Sequence, residues 1–480
     1  MDSLWLTTAK LPSFPALSSD LKTDVLVIGG GLCGLLCAHA LTEAGVSCAL
    51  IEADRIMRGV SARTTAKITS QHRLIYDRLI RSRGVEAAQL YREANEAALG
   101  RYHRLCGEID CGFEEKDAYV FDRTGTAALE REWTAMARAG LHATFDDALP
   151  LPFPVAGALR LPHQAQFHPL RFAAAISEGL NIFEQTAALA WDGRAVVTNR
   201  GRIAADKVIV ATHFPLFNKH GAYFLKLYQH RSYVLALRGA PDVDGMYLDA
   251  QETGLSFRNS GEFLLLGGGS HRTGKSGGGY DALRADAKAY YPDAEIAFRW
   301  ATQDCMTLDG LPYIGQYARS TPDLYVATGF GKWGMTLSMA AATILRDLVL
   351  GRSNPCALLF SPSRSMMKPQ LLVNGFEAAV SLLTPTRPRC PHMGCALKWN
   401  LQEHTWTAPA TARASRGRES SSAAPLRAIC RPFRRRKASK NGPQAKARSP
   451  SYGVYSLTIP SDCSSRNKSS TGATTLIIAT

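Results

Sequence analysis

Residues 23–52 have the sequence TDVLVIGGGLCGLLCAHALTEAGVSCALIE. An apolar, β-branched run at 23–28 ends at glycine, and a segment of helix-forming residues follows at 35–44. A second apolar run at 46–51 is closed by Glu52. Because buried parallel strands have such continuous apolar runs, the pattern predicts a βαβ unit.

The glycines at the first turn of this unit, Gly29, Gly31 and Gly34, have the spacing GxGxxG. The first glycine permits a tight bend, the second lets backbone approach a pyrophosphate, and the third allows the helix to pack closely on the strand. The helix N-terminus then holds the phosphates, and Glu52 can accept hydrogen bonds from ribose hydroxyls. These four residues predict a site for an adenine dinucleotide.

Four further motifs follow along the chain, namely GVSARTTAK at 59–67, AQFHPL at 165–170, VIVATH at 208–213 and GFGKWG at 329–334. Together with the dinucleotide pattern they resemble the D-amino-acid-oxidase/glycine-oxidase superfamily of FAD-dependent oxidoreductases. The resemblance implies FAD as the cofactor, with its pyrophosphate at the first glycine turn and its isoalloxazine near the last one.

The resemblance also implies which residues approach the flavin. Thr64 and Thr65 would lie beside it. Gly329, Phe330 and Gly331 would place amides near its pyrimidine edge.

Lys332 is the candidate catalytic residue, because several family members have a cation in a similar glycine-rich turn. A cation there would stabilise the anionic reduced flavin or pair with a substrate carboxylate. The alternative is a solvated surface lysine. Four histidines are further candidates for the pocket, although a single histidine is more often structural, and none is assigned a catalytic role: His72, His168, His213 and His230.

Residues 390–400, CPHMGCALKWN, look like the first half of a Rieske [2Fe–2S] motif. In that motif a Cys and a His bind different irons, and a second half supplies the matching pair. The resemblance makes Cys390 and His392 the ligands and leaves Cys395 out. Since no Cys-x-x-His pair follows shortly after Trp406, a [2Fe–2S] cluster is expected only in intact relatives.

The residues after Trp406 have a specific explanation. Family members with a fused Rieske module continue at this point with Asp-Cys-Pro-Cys-His-Gly-Ser-Arg-Phe. In GC-rich codons, loss of one base converts that peptide to Thr-Ala-Pro-Ala-Thr-Ala-Arg-Ala-Ser, which is the sequence at 407–415. We therefore predict that residues 407–480 are a disordered, out-of-frame translation.

The charge is concentrated in the same segment. The chain has a net charge of +15, but residues 407–480 contain 14 of the 56 Lys and Arg and only 2 of the 41 Asp and Glu, which leaves +3 for residues 1–406. Nucleic acid is therefore not an expected partner. Scattered cysteines, no export signal and no membrane-spanning apolar run predict a cytoplasmic protein without an integral membrane segment.

The predicted fold is α/β, with a Rossmann-like FAD-binding domain of the glutathione-reductase type interleaved with an antiparallel substrate sheet. The predicted parts are an N-terminal arm at 1–23, an oxidoreductase body at 24–355, a linker at 356–389, an all-β Rieske remnant at 390–406 and the tail at 407–480. Within the body, FAD-binding segments are predicted at about 24–80, 160–220 and 300–355, and substrate-sheet segments at about 81–159 and 221–299.

The resemblance implies oxidation of an amino acid or other amine by hydride transfer to flavin N5, giving an imine that water hydrolyses. The expected partners are a small-molecule amine and an electron acceptor, either O2 or a redox partner. Two alternatives remain. An NAD(P)-dependent dehydrogenase would share the first βαβ unit, and a flavoprotein–Rieske gene with a damaged end could give a non-functional or truncated product.

Overall fold

A computed structural model of the chain describes residues 2–217, 220–275, 277–364, 373–376, 380, 383, 398–400, 405–407 and 414–416. The strands are β1 (Leu21–Ile28), β2 (Cys48–Ile51), β3 (Lys67–Ile68), β4 (Glu114–Asp122), β5 (Thr144–Asp146), β6 (Gly157–Gln166), β7 (Asn181–Phe183), β8 (Ala188–Trp191), β9 (Ala195–Thr198), β10 (Arg202–Val210), β11 (Leu227–Arg238), β12 (Met246–Asp249), β13 (Ser256–Ser260), β14 (Phe263–Arg272), β15 (Glu295–Thr307), β16 (Tyr313–Gln316), β17 (Leu324–Thr328), β18 (Lys398–Asn400), β19 (Thr405–Thr407) and β20 (Ala414–Arg416). The helices are α1 (Leu4–Thr8), α2 (Leu32–Glu43), α3 (Ile75–Arg83), α4 (Val85–Glu108), α5 (Ala127–Ala139), α6 (Pro169–Ile176), α7 (Tyr223–Lys226), α8 (Tyr280–Tyr290), α9 (Gly334–Val349) and α10 (Ala357–Phe360), with a 3-10 helix at Val60–Arg63.

The first sheet has a parallel centre. Its main order is β16-β17-β10-β1-β2-β7, and β9 and β8 extend it beside β10. β1 runs parallel to β10 and β2, and β17 runs parallel to β10. The side chains of residues 25–28 in β1 are at most 3% exposed, as expected for a central strand that is covered on both faces.

The second sheet is mostly antiparallel. Its main order is β15-β11-β14-β13-β12-β4-β6-β3, and only the β12–β4 pair within it is parallel. One face packs Tyr233 and Leu235 with Leu283 of α8, and the other face places Val234 and Leu265 in the core that includes α2 and α4. The two mixed sheets confirm the predicted α/β fold class.

The two sheets interleave along the chain. Strands of the first sheet come from residues 21–51, 181–210 and 313–328, and strands of the second come from 67–68, 114–166 and 227–307. Each sheet therefore brings together residues that are more than a hundred positions apart in the sequence.

The folded body is longer than the predicted 24–355. Cys356, Leu359 and Phe360 are buried in the core, and Arg364 forms an ion pair with Asp309 in which both side chains are 5% exposed. These contacts continue past residue 355, where our prediction ends the body, at least to Arg364.

A small antiparallel sheet with the order β18-β19-β20 lies beyond this body in the sequence. Its last strand, Ala414–Arg416, falls within the tail that we predicted to be disordered. Cys390 and His392 lie outside the described residues, as does most of that tail. Among the helices described, none combines the length and apolarity that a membrane span requires.

Candidate active site

The first glycine turn, residues 29–34, joins β1 to α2 and is enclosed by backbone. A Cβ on Gly34 would lie 1.8 Å from the Gly29 carbonyl oxygen, and a Cβ on Gly29 would lie 2.7 Å from the Ala211 carbonyl oxygen. Gly29 also has φ +112°, a conformation that side-chain-bearing residues rarely adopt. The close approach of α2 to β1 therefore requires glycine at both positions.

Ser61 lies at the N-terminus of α2. Its Oγ accepts a hydrogen bond from the Leu32 amide at 3.0 Å, and a Cβ on Gly31, the N-cap residue, would lie 3.2 Å from the same oxygen. Because helix N-terminal amides bind phosphate, Ser61 is positioned to contact a pyrophosphate. Ser61 is not among the predicted residues, although it lies within the GVSARTTAK motif.

Glu52 directly follows β2 and faces the first glycine turn. Its Oε2 accepts a hydrogen bond from the Gly30 amide at 2.7 Å, and its Oε1 accepts one from the Asp54 amide at 2.9 Å. Burial raises the pKa of Glu52, and these two amides oppose the shift. The carboxylate is thus held where it can accept hydrogen bonds from ribose hydroxyls.

The segment at Thr64 is fixed by two distant tryptophans. Trp5 Nε1 of α1 donates to the Thr64 carbonyl at 2.8 Å, and Trp300 Nε1 of β15 donates to the Arg63 carbonyl at 3.0 Å. The Thr64 hydroxyl accepts a hydrogen bond from the Ala66 amide at 2.9 Å. The segment that we expect to approach the flavin is therefore held from both sides.

A Trp5→Phe variant is expected to bind FAD several-fold more weakly than the wild-type protein, because the Thr64 carbonyl loses its donor while most of the ring volume remains. One such hydrogen bond contributes about 1 kcal/mol to stability. The control is Trp133→Phe, since Trp133 Nε1 donates in the same way to the Ala143 carbonyl at 2.8 Å but belongs to α5. Fluorescence titration of the apoprotein with FAD measures both, and equal losses of affinity would contradict a specific role for Trp5.

The second glycine turn, residues 329–334, lies at the same edge of the first sheet as the first turn. β17, β10 and β1 are parallel neighbours, so their carboxyl ends share one edge. At the usual spacing of strands the two turns are about 10 Å apart. Parallel α/β sheets bind ligands at this edge, and an extended dinucleotide can reach from one turn to the other.

Contacts with β15 fix the second turn. The Gly331 amide donates to the Cys305 carbonyl at 3.0 Å, and a Cβ on Gly329 would lie 2.3 Å from Thr307 Cγ2. Gly329 and Gly331 have φ values of +75° and +56°. We predicted that Gly329, Phe330 and Gly331 direct amides at the flavin. In the structure the Gly331 amide already donates a hydrogen bond within the protein.

The residues around the two turns fit a bound dinucleotide. Beside the second turn, the hydroxyl of Thr307 and the side-chain nitrogen of Gln303 are buried and have no hydrogen-bond partner among the residues that the structure describes. Buried polar groups without partners are rare in folded proteins and indicate a missing partner. At the first turn, Gly31 has no side chain that would cover the N-terminus of α2, so a phosphate can approach it beside Ser61.

Lys332 follows the second turn and is not a solvated surface residue. Its Nζ donates to Ser270 Oγ at 3.3 Å. Burial lowers the pKa of Lys332 to about 8, and the nearby carboxylate of Asp304 opposes that shift. At neutral pH Lys332 therefore retains its charge close to the place where we expect the flavin.

Two of the candidate histidines have structural roles. His72 Nδ1 is 2.6 Å from the Tyr91 hydroxyl, and its Nε2 is 3.0 Å from Thr336 Oγ1. His168 Nε2 is 2.9 Å from Thr8 Oγ1, and its Nδ1 accepts from the Arg171 amide at the start of α6. Burial lowers the pKa values of His72 and His168 to about 3 and about 4, so both rings are neutral at physiological pH.

The other two histidines, His213 and His230, contact the second sheet and its loops, whereas the ring of His72 stacks on that of Trp333 in the second turn at 4.4 Å. His213 Nε2 is 2.9 Å from the Gln303 carbonyl, and its own carbonyl accepts from Thr328 Oγ1 at 2.5 Å. His230 Nε2 is 3.6 Å from Glu252 Oε1. Burial lowers the pKa values of His213 and His230 to about 4 and about 3. His230 is the only one of the four that lines the cavity described next.

A cavity of about 480 Å³ opens between the loops that flank β13 and β14. Ser270, which accepts the hydrogen bond from Lys332, lines this cavity together with His230. Charged side chains of both signs also line it: Arg123, Asp249, Glu252, Arg272 and Asp286. The cavity therefore adjoins the second glycine turn and suits a polar ligand that carries charge.

A family model described as "DAO: FAD dependent oxidoreductase" matches residues 24–348. The chain belongs to this family. The oxidoreductase is therefore an FAD-dependent enzyme, as the sequence motifs predict.

The oxidoreductase is 35% identical over 471 residues to the putative Rieske 2Fe-2S iron-sulfur protein YhfW of Bacillus subtilis (strain 168), with 85% of this chain and 92% of that protein covered. It is 25% identical over 379 residues to gamma-glutamylputrescine oxidoreductase of Escherichia coli (strain K12), with 71% of this chain and 87% of that protein covered. Its fold resembles the crystal structure of glycine oxidase from Geobacillus kaustophilus with a TM-score of 0.61 and 24% identity, covering 72% of this chain and 100% of that one.

Proposed function

We propose that this oxidoreductase oxidises an amino acid or another small amine by removing a hydride from the carbon next to the nitrogen. The observation that carries the proposal is the charged cavity of about 480 Å³ beside the second glycine turn. Its size suits a small molecule, and its acids and bases suit an ionised one. The names of the relatives, gamma-glutamylputrescine oxidoreductase and glycine oxidase, support an amine substrate.

Bound FAD supplies the hydride acceptor in this reaction. The side chains of the cavity bind the substrate and orient its donor carbon towards the ring, which lowers the entropic part of the barrier. Asp249 and Glu252 attract a cationic nitrogen, whereas Arg272 attracts an anionic group.

Anaerobic mixing of the purified protein with a panel of amino acids and amines tests the proposal. A substrate is expected to bleach the flavin absorbance near its visible maximum, and 2-aminoisobutyrate, which has no hydrogen on the carbon next to nitrogen, is the matched control that leaves the absorbance unchanged. If no amine reduces the flavin and NADPH or NADH does, the protein is not an amine oxidoreductase and its cavity has another ligand.

We also propose that residues 407–480 are an out-of-frame translation of a Rieske module. The match of residues 407–415 to the frameshifted peptide supports the proposal. Resequencing of the locus is expected to restore one base and a Cys-x-x-His pair after Trp406. An unbroken reading frame with the present sequence would contradict the proposal.

A further inference from the structure

The cavity of about 480 Å³ has a cationic part beside the second glycine turn. Ser270, which lines the cavity, accepts a hydrogen bond from Lys332 Nζ at 3.3 Å. Burial lowers the pKa of His230 in the same wall, and the positive charges of Lys332, Arg73 and Arg272 lower it further. Positive charge is therefore concentrated in this part of the cavity.

Two aspartates line the cavity around Arg123, namely Asp249 at the end of β12 and Asp286 on α8. Asp249 is opposite Phe121 on the parallel strand β4, and Arg123 follows Phe121 by two residues. The Arg123 side chain donates to the Tyr290 hydroxyl at 3.2 Å, and Tyr290 is one helical turn after Asp286 on α8. Both carboxylates are therefore close to Arg123, in a different part of the cavity from the second glycine turn.

Neither aspartate has a cationic partner among the residues that the structure describes. Asp249 is 8% exposed, and its carboxylate accepts one hydrogen bond there, from the Gln251 amide at 2.8 Å. Asp286 has no hydrogen bond or ion pair within the same described ranges. The Arg123 guanidinium instead lies over the Phe153 ring, 4.2 Å from its centroid. Burial raises the pKa of both aspartates, although the charge of Arg123 opposes the shift.

An imidazole without a partner also faces this cavity. His230 is 6% exposed, and its Nδ1 is buried with no hydrogen-bond partner in the part of the chain that the structure describes. Its Nε2 is 3.6 Å from Glu252 Oε1, which is too far for a hydrogen bond. Buried polar groups without partners are rare in folded proteins and indicate a missing partner. Because His230 and the two aspartates line one cavity, a polar ligand in it can satisfy all three.

We propose that Asp249 and Asp286 bind a second cationic group of the substrate, so that the enzyme prefers an amine whose far end carries an ammonium or guanidinium group. The inference rests on the proposed amine oxidation and adds a specificity site to it. Hydrogen bonds between a cation and a carboxylate are about twice as strong as neutral ones. An uncharged far end leaves both carboxylates unpaired, and an anionic far end is repelled by them.

Two series of ligands that differ only in the charge of the far end test the proposal. In the first series the ε-ammonium of lysine is replaced by a methyl group in 2-aminoheptanoate and by a carboxylate in 2-aminopimelate, all three as racemates. In the second, the same replacements convert 1,5-diaminopentane to hexylamine and to 6-aminohexanoate. Calorimetry on the FAD-loaded, full-length protein is expected to show, in at least one series, that the ligand with the cationic far end binds at least about tenfold more tightly than its methyl analogue. The carboxylate analogue is expected to bind most weakly.

Variants of the two aspartates assign this preference to the site. Asp249→Asn and Asp286→Asn are each expected to weaken binding of the ligand with the cationic far end, and the double variant is expected to bind it no more tightly than the methyl analogue. Affinity for the methyl analogue itself is expected to stay at the wild-type value, which a general loss of structure would not allow. Asp286→Lys is expected to reverse the preference in favour of the carboxylate analogue.

Asp281→Asn is the matched control for these variants. Asp281 is also on α8, but it is 78% exposed, pairs with Arg284 at 3.4 Å and is not one of the residues that line the cavity. Its charge preference is expected to equal that of the wild-type protein. FAD content and the thermal midpoint verify that each variant is folded.

The proposal is overturned if the ligand with the cationic far end binds no more tightly than its methyl analogue in both series, if neither lysine nor 1,5-diaminopentane binds, or if the double variant keeps the preference. Anaerobic mixing with the same ligands separates this result from a failure of the proposed function. Reduction of the flavin by amines without a charge preference contradicts only the roles of Asp249 and Asp286. A charge preference in calorimetry without reduction by any amine contradicts the proposed oxidation.

Discussion

Gly34→Ala protein is expected to be purified without FAD and to unfold at a markedly lower temperature than the wild-type protein. The added Cβ would lie 1.8 Å from the Gly29 carbonyl oxygen, so α2 must move away from β1. Because the clash is with backbone, we expect a loss of at least about 3 kcal/mol in the free energy of unfolding. Displacement of α2 also removes its N-terminal amides from the pyrophosphate. Flavin absorbance and thermal unfolding measure the two effects.

Gly100→Ala is the matched control for this variant. Gly100 is also inside a helix, α4, but the nearest atom to an added Cβ is the flexible end of Arg104 at 3.9 Å. Replacement of glycine by alanine in a helix is expected to stabilise the protein by up to about 1 kcal/mol. Full FAD content in Gly34→Ala protein would show that the first glycine turn does not hold the cofactor.

Arg364→Ala protein is expected to lose about 1.5–3 kcal/mol in the free energy of unfolding, because the change removes buried charge-assisted hydrogen bonds and leaves Asp309 with only Arg83, which lies 2.9 Å away and is 30% exposed. Arg364 pairs with Asp309 at 2.8 Å, and both side chains are 5% exposed. Among the described residues Arg364 also donates to four backbone carbonyls, including those of Pro312 and Leu311 at 2.9 and 2.6 Å. Chemical denaturation at neutral pH measures the loss.

Protonation of Asp309 gives this pair a pH dependence. Burial alone would raise the pKa of Asp309, but the hydrogen bonds and charge of Arg364 outweigh it and hold the pKa below its ordinary value. The pair therefore stabilises the wild-type protein above the ordinary pKa of an aspartate, and the contribution is lost as the pH falls through the lowered one. In Arg364→Ala protein this acid dependence is expected to shift towards higher pH.

The control for Arg364 is Arg238→Ala. Arg238 also contacts two carboxylates, Glu262 and Glu295 at 3.3 Å, but all three side chains are at least 45% exposed. Exposed ion pairs contribute only about 0–1 kcal/mol. An equal loss in the free energy of unfolding in the two arginine variants would contradict a role for Arg364 in fixing the end of the folded body. That result would favour the predicted end of the body at residue 355.

The first glycine turn and the α/β fold class could be predicted from the sequence, because both depend on local requirements. A helix that packs against its preceding strand needs glycine at Gly29 and Gly34, and a buried strand such as β1 needs a continuous apolar run. The second glycine turn has the same local pattern of strand, glycines and helix. Parallel strands then place both turns at one edge of the first sheet.

Contacts between distant residues could not be predicted in the same way. Trp5 and Trp300 hold the segment at Thr64 from opposite ends of the body, and Arg364 meets Asp309 across fifty-five positions.

Determination of the FAD content of the purified full-length protein tests the central claim most directly, since that claim is that one extended FAD joins the two glycine turns. Heat-released flavin, separated from the protein and compared with the protein concentration, is predicted to correspond to one FAD per chain. A colourless protein that takes up no added FAD would contradict the account.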